Sequence, residues 1–297
     1  MKTLIIINRD EWPAFARLRR GRQAAGLRQT SARQAGSIAN RKSSIKNERA
    51  FTLVELLTVI AIIAVLGAML LPAIAIAKIH AQKSQAKMQM SSIVTAIQNY
   101  DSAYSRMPVS SAAVQSAPNT NYYTFGGVFN TPTAGTTWPA NPLSPPVNYF
   151  TNNCDVIAIL MDITTYTNGA PTANDSHQKN PQQTIFLNAK MVSDPTLPGV
   201  GPDLNYRDPW GNPYVITIDS IDDNQCKDDF YGLSAVSGPD GLNTNPGLNG
   251  LINPDNTPDN FRYHGNVMVW SAGPDKKIDP GAQANQGVNK DNVLSWQ

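Results

Sequence analysis

Residues 51–77 read FTLVELLTVIAIIAVLGAMLLPAIAIA, and Glu55 is the one acidic or basic residue among them. About twenty apolar residues at 1.5 Å per residue cross a hydrocarbon layer of roughly 30 Å. The stretch from Leu56 to Ala77 meets that length. A secretory h-region would be shorter and would end in a small-residue cleavage site. Here Lys78 and His80 follow, and then a polar helical pattern, so the segment is predicted to be a retained transmembrane helix.

The net charge of +2 hides an asymmetry: residues 1–50 carry twelve Lys and Arg against three acids, and residues 51–297 carry twelve against nineteen. Positive flanks stay on the cytoplasmic side of a membrane, so the basic head faces the cytoplasm and the acidic body is exported. An acidic body also argues against duplex DNA as a partner. Cys154 and Cys226 both follow the apolar segment and would travel with the body. A disulfide between them and two singly buried thiols are both open at this point.

A carboxylate five residues into an apolar helix is costly unless it is wetted at the interface or meets a positive partner. For Glu55, a cut just before Phe51 would supply one, the free amine of a neighbouring copy, and that pairing would set the stagger between copies.

The run Ala50-Phe51-Thr52-Leu53-Val54-Glu55, after a basic leader and before a long apolar helix, resembles the prepilin cleavage and methylation signal of type IV pilins and type II secretion pseudopilins. The resemblance implies cleavage between Ala50 and Phe51 by a prepilin peptidase and N-methylation of Phe51. Ala50 departs from the glycine usual before the cut, and the leader is longer than usual. Pro72 also fits, since a mid-helix proline removes one backbone bond and bends the rod.

Beyond the membrane, Ile79, Ala86, Met90, Ile93, Ile97, Tyr100 and Tyr104 recur every three or four residues and predict one apolar face of an amphipathic helix. Met107-Pro108 ends it. Residues 108–150 read as loop with short strands at best. Asp155–Thr164 is predicted as a short helix capped by Asn153, and Thr184–Leu187, Tyr214–Asp219, Phe230–Val236 and Asn266–Trp270 as strands. The expected fold is α+β: a long N-terminal helix packed on a small antiparallel sheet with long loops. The expected organisation is a leader over 1–50, a transmembrane and polymerisation helix over 51–77, an amphipathic continuation over 78–107 and an extracytoplasmic head over 108–297.

In the head, Asp208-Pro-Trp-Gly-Asn-Pro-Tyr214, then Ser271-Ala-Gly-Pro-Asp275, then Asp291, Asn292 and Trp296 follow an order similar to the major pseudopilin of type II secretion, with 219–266 reading as an insertion. There, a Gly-Pro-Asp loop with downstream acids holds calcium. The resemblance implies calcium on Asp275, Asp279 and Asp291, with Asn289 as a helper. Calcium takes six to eight oxygens, which carboxylates and loop carbonyls can supply, although Asp-rich turns form without any ion. Asp219, Asp222, Asp223, Asp228 and Asp229 form a second acidic run, read as a solvated loop.

No catalytic motif appears: His80, His177 and His264 lack ligand spacing, and there is no phosphate loop or nucleophile elbow. The expectation is a structural protein and not an enzyme: a single-pass inner-membrane pseudopilin with its head in the periplasm. It would assemble with copies of itself, other pseudopilins and an inner-membrane platform. The alternatives are a type IV pilin or minor pilin for adhesion, motility or DNA uptake, and a monomeric membrane-tethered binding protein.

Overall fold

The computed structural model describes residues 51–116, 121–126 and 149–297. The leader with Ala50, and most of the 108–150 loop expected from sequence, lie outside the described residues. The chain divides into two units, Met1–Leu56 and Leu57–Gln297.

Helix α1 spans Leu53–Tyr104 and contains Pro72. At 1.5 Å per residue its 52 residues extend roughly 80 Å. Its most apolar window has a mean hydropathy of 2.8 and buries none of its surface. From Leu57 to Ile76 the large apolar side chains are exposed, Leu71 at 71% and Ile62 at 60%. Burial begins about two turns past Lys78, with Ala86, Met90, Ile93, Ala96, Ile97 and Tyr100. Ile79, expected on this stripe, is exposed. The helix ends where Ser105 takes a positive φ of 49°. Tyr100 and Arg106 there donate to the Lys179 carbonyl at 2.5 and 3.0 Å, and Tyr104 to the Asn180 side chain at 2.6 Å.

The remaining elements are α2 (Ser111–Ser116), β1 (Tyr122–Phe125), β2 (Tyr149–Thr151), α3 (Cys154–Leu160), β3 (Gly199–Val200), β4 (Tyr206–Arg207), β5 (Val215–Asp219), β6 (Gln225–Cys226), α4 (Ser234–Ser237), β7 (Tyr263–His264), β8 (Val267–Ser271) and β9 (Val293–Leu294). The main sheet has the order β2-β1-β5-β8-β9. Its pairs are antiparallel except β1 with β2, which is parallel. The pairs β3-β4 and β6-β7 form two small ribbons.

Both faces of the main sheet are covered, and alternation along β5 and β8 assigns them. Ile216, Ile218, Val267 and Val269 join the α1 stripe and α3 in one apolar cluster. Val215, Met268 and Trp270 join Cys226, Phe230, Tyr231, Val236, Leu251 and Phe261 in a second. The segment 219–266, read from sequence as an insertion, therefore builds the second core.

Three local expectations change. Phe230–Val236 is not a strand. The Asp228 carboxylate accepts the backbone N–H groups of Phe230 and Tyr231 at 2.9 and 2.8 Å, which coils the chain into a turn before α4. Thr184–Leu187 joins no ladder: Phe186 and Leu187 both donate to the Leu160 carbonyl, at 2.9 and 3.0 Å. They thereby satisfy an acceptor left over at the end of α3. Asn153 precedes α3 but makes no side-chain cap. Its buried amide donates to the Tyr206 and Tyr214 carbonyls at 3.0 and 2.8 Å, and its oxygen accepts Tyr206 N–H at 2.9 Å.

Candidate functional site

In the N-terminal unit, the first helical turn is fixed by a reciprocal pair. The Glu55 backbone N–H donates to Thr52 Oγ1 at 3.2 Å, and Thr52 N–H donates to Glu55 Oε2 at 2.8 Å. The Thr52 hydroxyl also donates to Glu55 Oε2, at 2.9 Å. This is a capping box: each side chain satisfies a backbone donor that the helix start would leave open. Thr-x-x-Glu ahead of an apolar run is the sequence signature of such a box. Glu55 thus has a local task at the helix start. Phe51 lies just outside the helix and is 73% exposed.

The two head motifs fold into one knot. Asp208 is fully buried, and its Oδ1 accepts the backbone N–H groups of Trp210 and Asn212 at 2.9 and 2.8 Å. Its Oδ2 accepts from Asn212 Nδ2 at 3.0 Å and from the Ser271 hydroxyl of β8. Burial outweighs these donors and holds the Asp208 carboxyl above its ordinary range. The turn is also docked onto α1: Gln82 donates to the Pro209 carbonyl at 3.2 Å, and the Tyr214 hydroxyl to Gln89 Oε1 at 2.6 Å. The motif residues therefore hold the helix, the sheet and the Gly-Pro-Asp loop together.

In the C-terminal loop, burial raises the Asp291 carboxyl above its ordinary range, and the nearby Asp275 carboxylate adds to this. Asp291 Oδ1 and Asn292 Oδ1 are buried with no hydrogen-bond partner among the described residues. Asp279 sits in the adjoining turn, where Oδ1 accepts Gly281 N–H at 2.9 Å and the backbone N–H donates to Asn289 Oδ1 at 2.8 Å. Asn289 is buried and donates to the Asp279 and Ala282 carbonyls at 2.7 and 2.8 Å, so its amide staples the turn. Among the described residues no three His, Cys, Asp or Glu side chains converge on one point. Of the three expected carboxylates, Asp275 and Asp291 lie within electrostatic reach of each other, while Asp279 is engaged in the adjoining turn.

Cys154 and Cys226 are both free thiols, one packed against the first cluster and the other buried in the second. The disulfide left open by the sequence is not formed. The acidic run 219–229 is not a uniformly solvated loop either. Asp219 and Asp228 are fully buried, while Asp222 and Asp223 are exposed. Asp228 Oδ2 accepts from Thr217 Oγ1 at 2.6 Å and Trp270 Nε1 at 3.1 Å, which makes it a polar pin within the second core.

Comparison with known proteins agrees with the N-terminal geometry. Residues 45–71 match the prokaryotic N-terminal methylation motif, which points to the type IV pilin-like family. The match covers the start of α1 and the residues before it, and none of the head. Searches of curated proteins and of solved structures return no match. The exposed apolar first half of α1 fits a single-pass membrane anchor.

Proposed function

We propose that this chain is a structural, non-catalytic subunit of a type II secretion pseudopilus. A prepilin peptidase cuts between Ala50 and Phe51, Phe51 is N-methylated, and residues 51–77 hold the chain in the inner membrane with its head in the periplasm. The observation that carries this reading is the N-terminal methylation motif at the head of a helix whose apolar side chains stay exposed from Leu57 to Ile76. Such a surface is covered by lipid before assembly and by other helices after it, through close packing of side chains.

Glu55 has two tasks in this scheme. Within its own chain it closes the capping box with Thr52. In the filament its charge pairs with the Phe51 amine of a neighbour and sets the axial stagger, since opposite charges attract strongly where water is scarce. Other pseudopilins and an inner-membrane platform complete the assembly. Mass spectrometry of the mature N-terminus tests the processing step, and N-methylated Phe51 is expected. An intact precursor as the working form in cells would overturn the proposal.

The knot between Asp208-Pro-Trp-Gly-Asn-Pro-Tyr214 and Ser271-Ala-Gly-Pro-Asp275 supports the secretion role over a general pilin role. The second core built by 219–266 favours the alternative of a surface-displayed pilin or minor pilin, because it enlarges the head beyond what the sheet needs to pack on α1. Immunogold labelling distinguishes them: signal confined to the envelope supports secretion, and signal on extended fibres supports the pilin. A monomeric tethered binding protein would give no ladder of multimers on cross-linking.

Asp275 and Asp291 suit calcium, a hard cation that prefers oxygen ligands. The ion would neutralise two neighbouring carboxylates and tie the Gly-Pro-Asp loop to the C-terminal segment. Loss of calcium-dependent thermal stabilisation in Asp291→Asn checks this assignment.

A further inference from the structure

The apolar stretch 51–77 ends at Ala77, and Lys78 follows. Gln82 lies five residues further, about 7.5 Å along the helix axis. Its Nε2 donates to the Pro209 carbonyl at 3.2 Å. Helical side chains lean toward the helix N-terminus, so Pro209 is held no further from Ala77 than Gln82 is. An interfacial layer of roughly 5 to 8 Å covers each side of the hydrocarbon. With residues 51–77 across a bilayer, turn 208–211 therefore sits at headgroup level.

Two other segments reach the same turn. Gly211 has φ of +90°, and a Cβ placed on it would lie 2.9 Å from the Thr196 carbonyl oxygen and 3.7 Å from Lys276 Nζ. Glycine lets the three segments close together. In turn 194–197, Leu197 N–H donates to the Asp194 carbonyl at 3.2 Å, and the Leu197 side chain is left 46% exposed. Lys276 is exposed as well, and Trp210 is half-buried against the first core. The acids of these segments serve their own turns. Asp194 Oδ1 accepts the Thr196 N–H and hydroxyl at 2.8 and 2.7 Å, and Asp275 Oδ1 accepts Lys277 N–H at 2.9 Å. Lys276 enters no ion pair among the described residues.

An exposed leucine, an indole and an ammonium are residue types that a bilayer interface favours. Any other occupant of this surface would compete with the lipid that already surrounds the helix at that height. An ammonium there is attracted to anionic headgroups.

We propose that the base of the head, formed by Leu197, turn 208–211 and Lys276, rests on anionic phospholipid headgroups of the membrane that α1 crosses. The proposal rests on the reading of residues 51–77 as the membrane anchor. The contact restrains the head against the bilayer before assembly. Entry into a filament breaks it, because the helix then leaves the lipid.

The test is fluorescence quenching on the full chain, reconstituted in vesicles of phosphatidylethanolamine and phosphatidylglycerol with a spin-labelled headgroup as quencher. The fluorophore is placed on Leu197→Cys or, as a control, on Ile185→Cys; both side chains are exposed, so the fold is kept. Ile185 adjoins Phe186, which packs on Tyr104, about 40 Å up the helix from Ala77. Wild type treated identically gives the background from Cys154 and Cys226. Strong quenching at 197 and none above background at 185 is expected. Lys276→Glu, or replacement of phosphatidylglycerol by phosphatidylcholine, should cut the quenching at 197 by roughly half or more. Unchanged quenching in both overturns the anionic-lipid assignment. Equal quenching at 197 and 185 overturns the proposal in favour of a head lying flat on the bilayer. A chain that floats with the vesicles but is unquenched at 197 overturns this proposal alone and leaves the surface to a neighbouring head. A chain that does not float with the vesicles overturns the anchor reading along with it.

Discussion

Asn212 donates its side-chain amide to the Gly273 carbonyl at 2.9 Å and to the Asp208 carboxylate at 3.0 Å, across a sequence separation of 61 residues in the first case. One amide thus joins the turn after β4 to the loop after β8. Gly273 can occupy its place because it has φ of +70° and because a Cβ there would lie 2.4 Å from the Asp291 carbonyl. Both features demand glycine. The head motifs are therefore a scaffold first, and any ion at Asp275 and Asp291 sits on that scaffold.

Removal of Asp208 should be severe. Asp208→Ala strands the Trp210 and Asn212 N–H groups and the Ser271 hydroxyl in a buried site. The expected loss is about 3 kcal/mol, read from urea unfolding of the full chain in detergent. A loss below about 1 kcal/mol would mean that water replaces the carboxylate.

Asp228 gives a pH signature. Burial raises its carboxyl, offset in part by Thr217, Tyr231, Trp270 and Phe230. An acid with a raised folded value holds its proton more tightly when folded. Its contribution favours folding below the unfolded value of about 3.9 and is lost as pH rises through the folded value. The stability of wild type relative to Asp228→Asn should therefore fall as pH rises from about 4 toward neutrality. Urea unfolding at several pH values measures this, and a difference independent of pH would show that Asp228 ionises at its ordinary value.

The two tasks of Glu55 can be separated. Glu55→Gln keeps the acceptor for Thr52 and removes the charge, whereas Glu55→Ala removes both. Both variants should insert in membranes, and both should fail to assemble if the charge sets the stagger. Normal filaments from Glu55→Gln, with none from Glu55→Ala, would show that the capping box is what assembly needs.

The thiols should behave as two unlinked groups. Reductant should leave the thermal midpoint unchanged. Cys226 is fully buried, and burial raises its thiol well above the ordinary range, so native alkylation there should be slow. Mass spectrometry after iodoacetamide should find both cysteines labelled once the chain is unfolded.

Much of the architecture was legible because its signals are periodic. The α1 stripe from Ala86 to Tyr100 shows in every third or fourth residue, and strands β5 and β8 show as short apolar runs rich in β-branched residues. Phe230–Val236 has the composition of a strand, but Asp228 captures its first backbone donors and bends it. Asn153 sits where a cap belongs, yet the neighbouring strands offer its amide two carbonyls and a donor. Ile79 keeps the period but lies beyond the reach of the head. In each case local preference lost to partners distant in sequence.

By itself the sequence determined the long apolar helix and the methylation motif at its head, because length, apolarity and a contiguous motif need no knowledge of distant contacts. Only the tertiary structure decided which acids are buried, that the cysteines stay apart, and that 219–266 forms a second core. Those outcomes depend on what each side chain meets across the sheet, and a carboxylate in solvent and one in a core have the same letter.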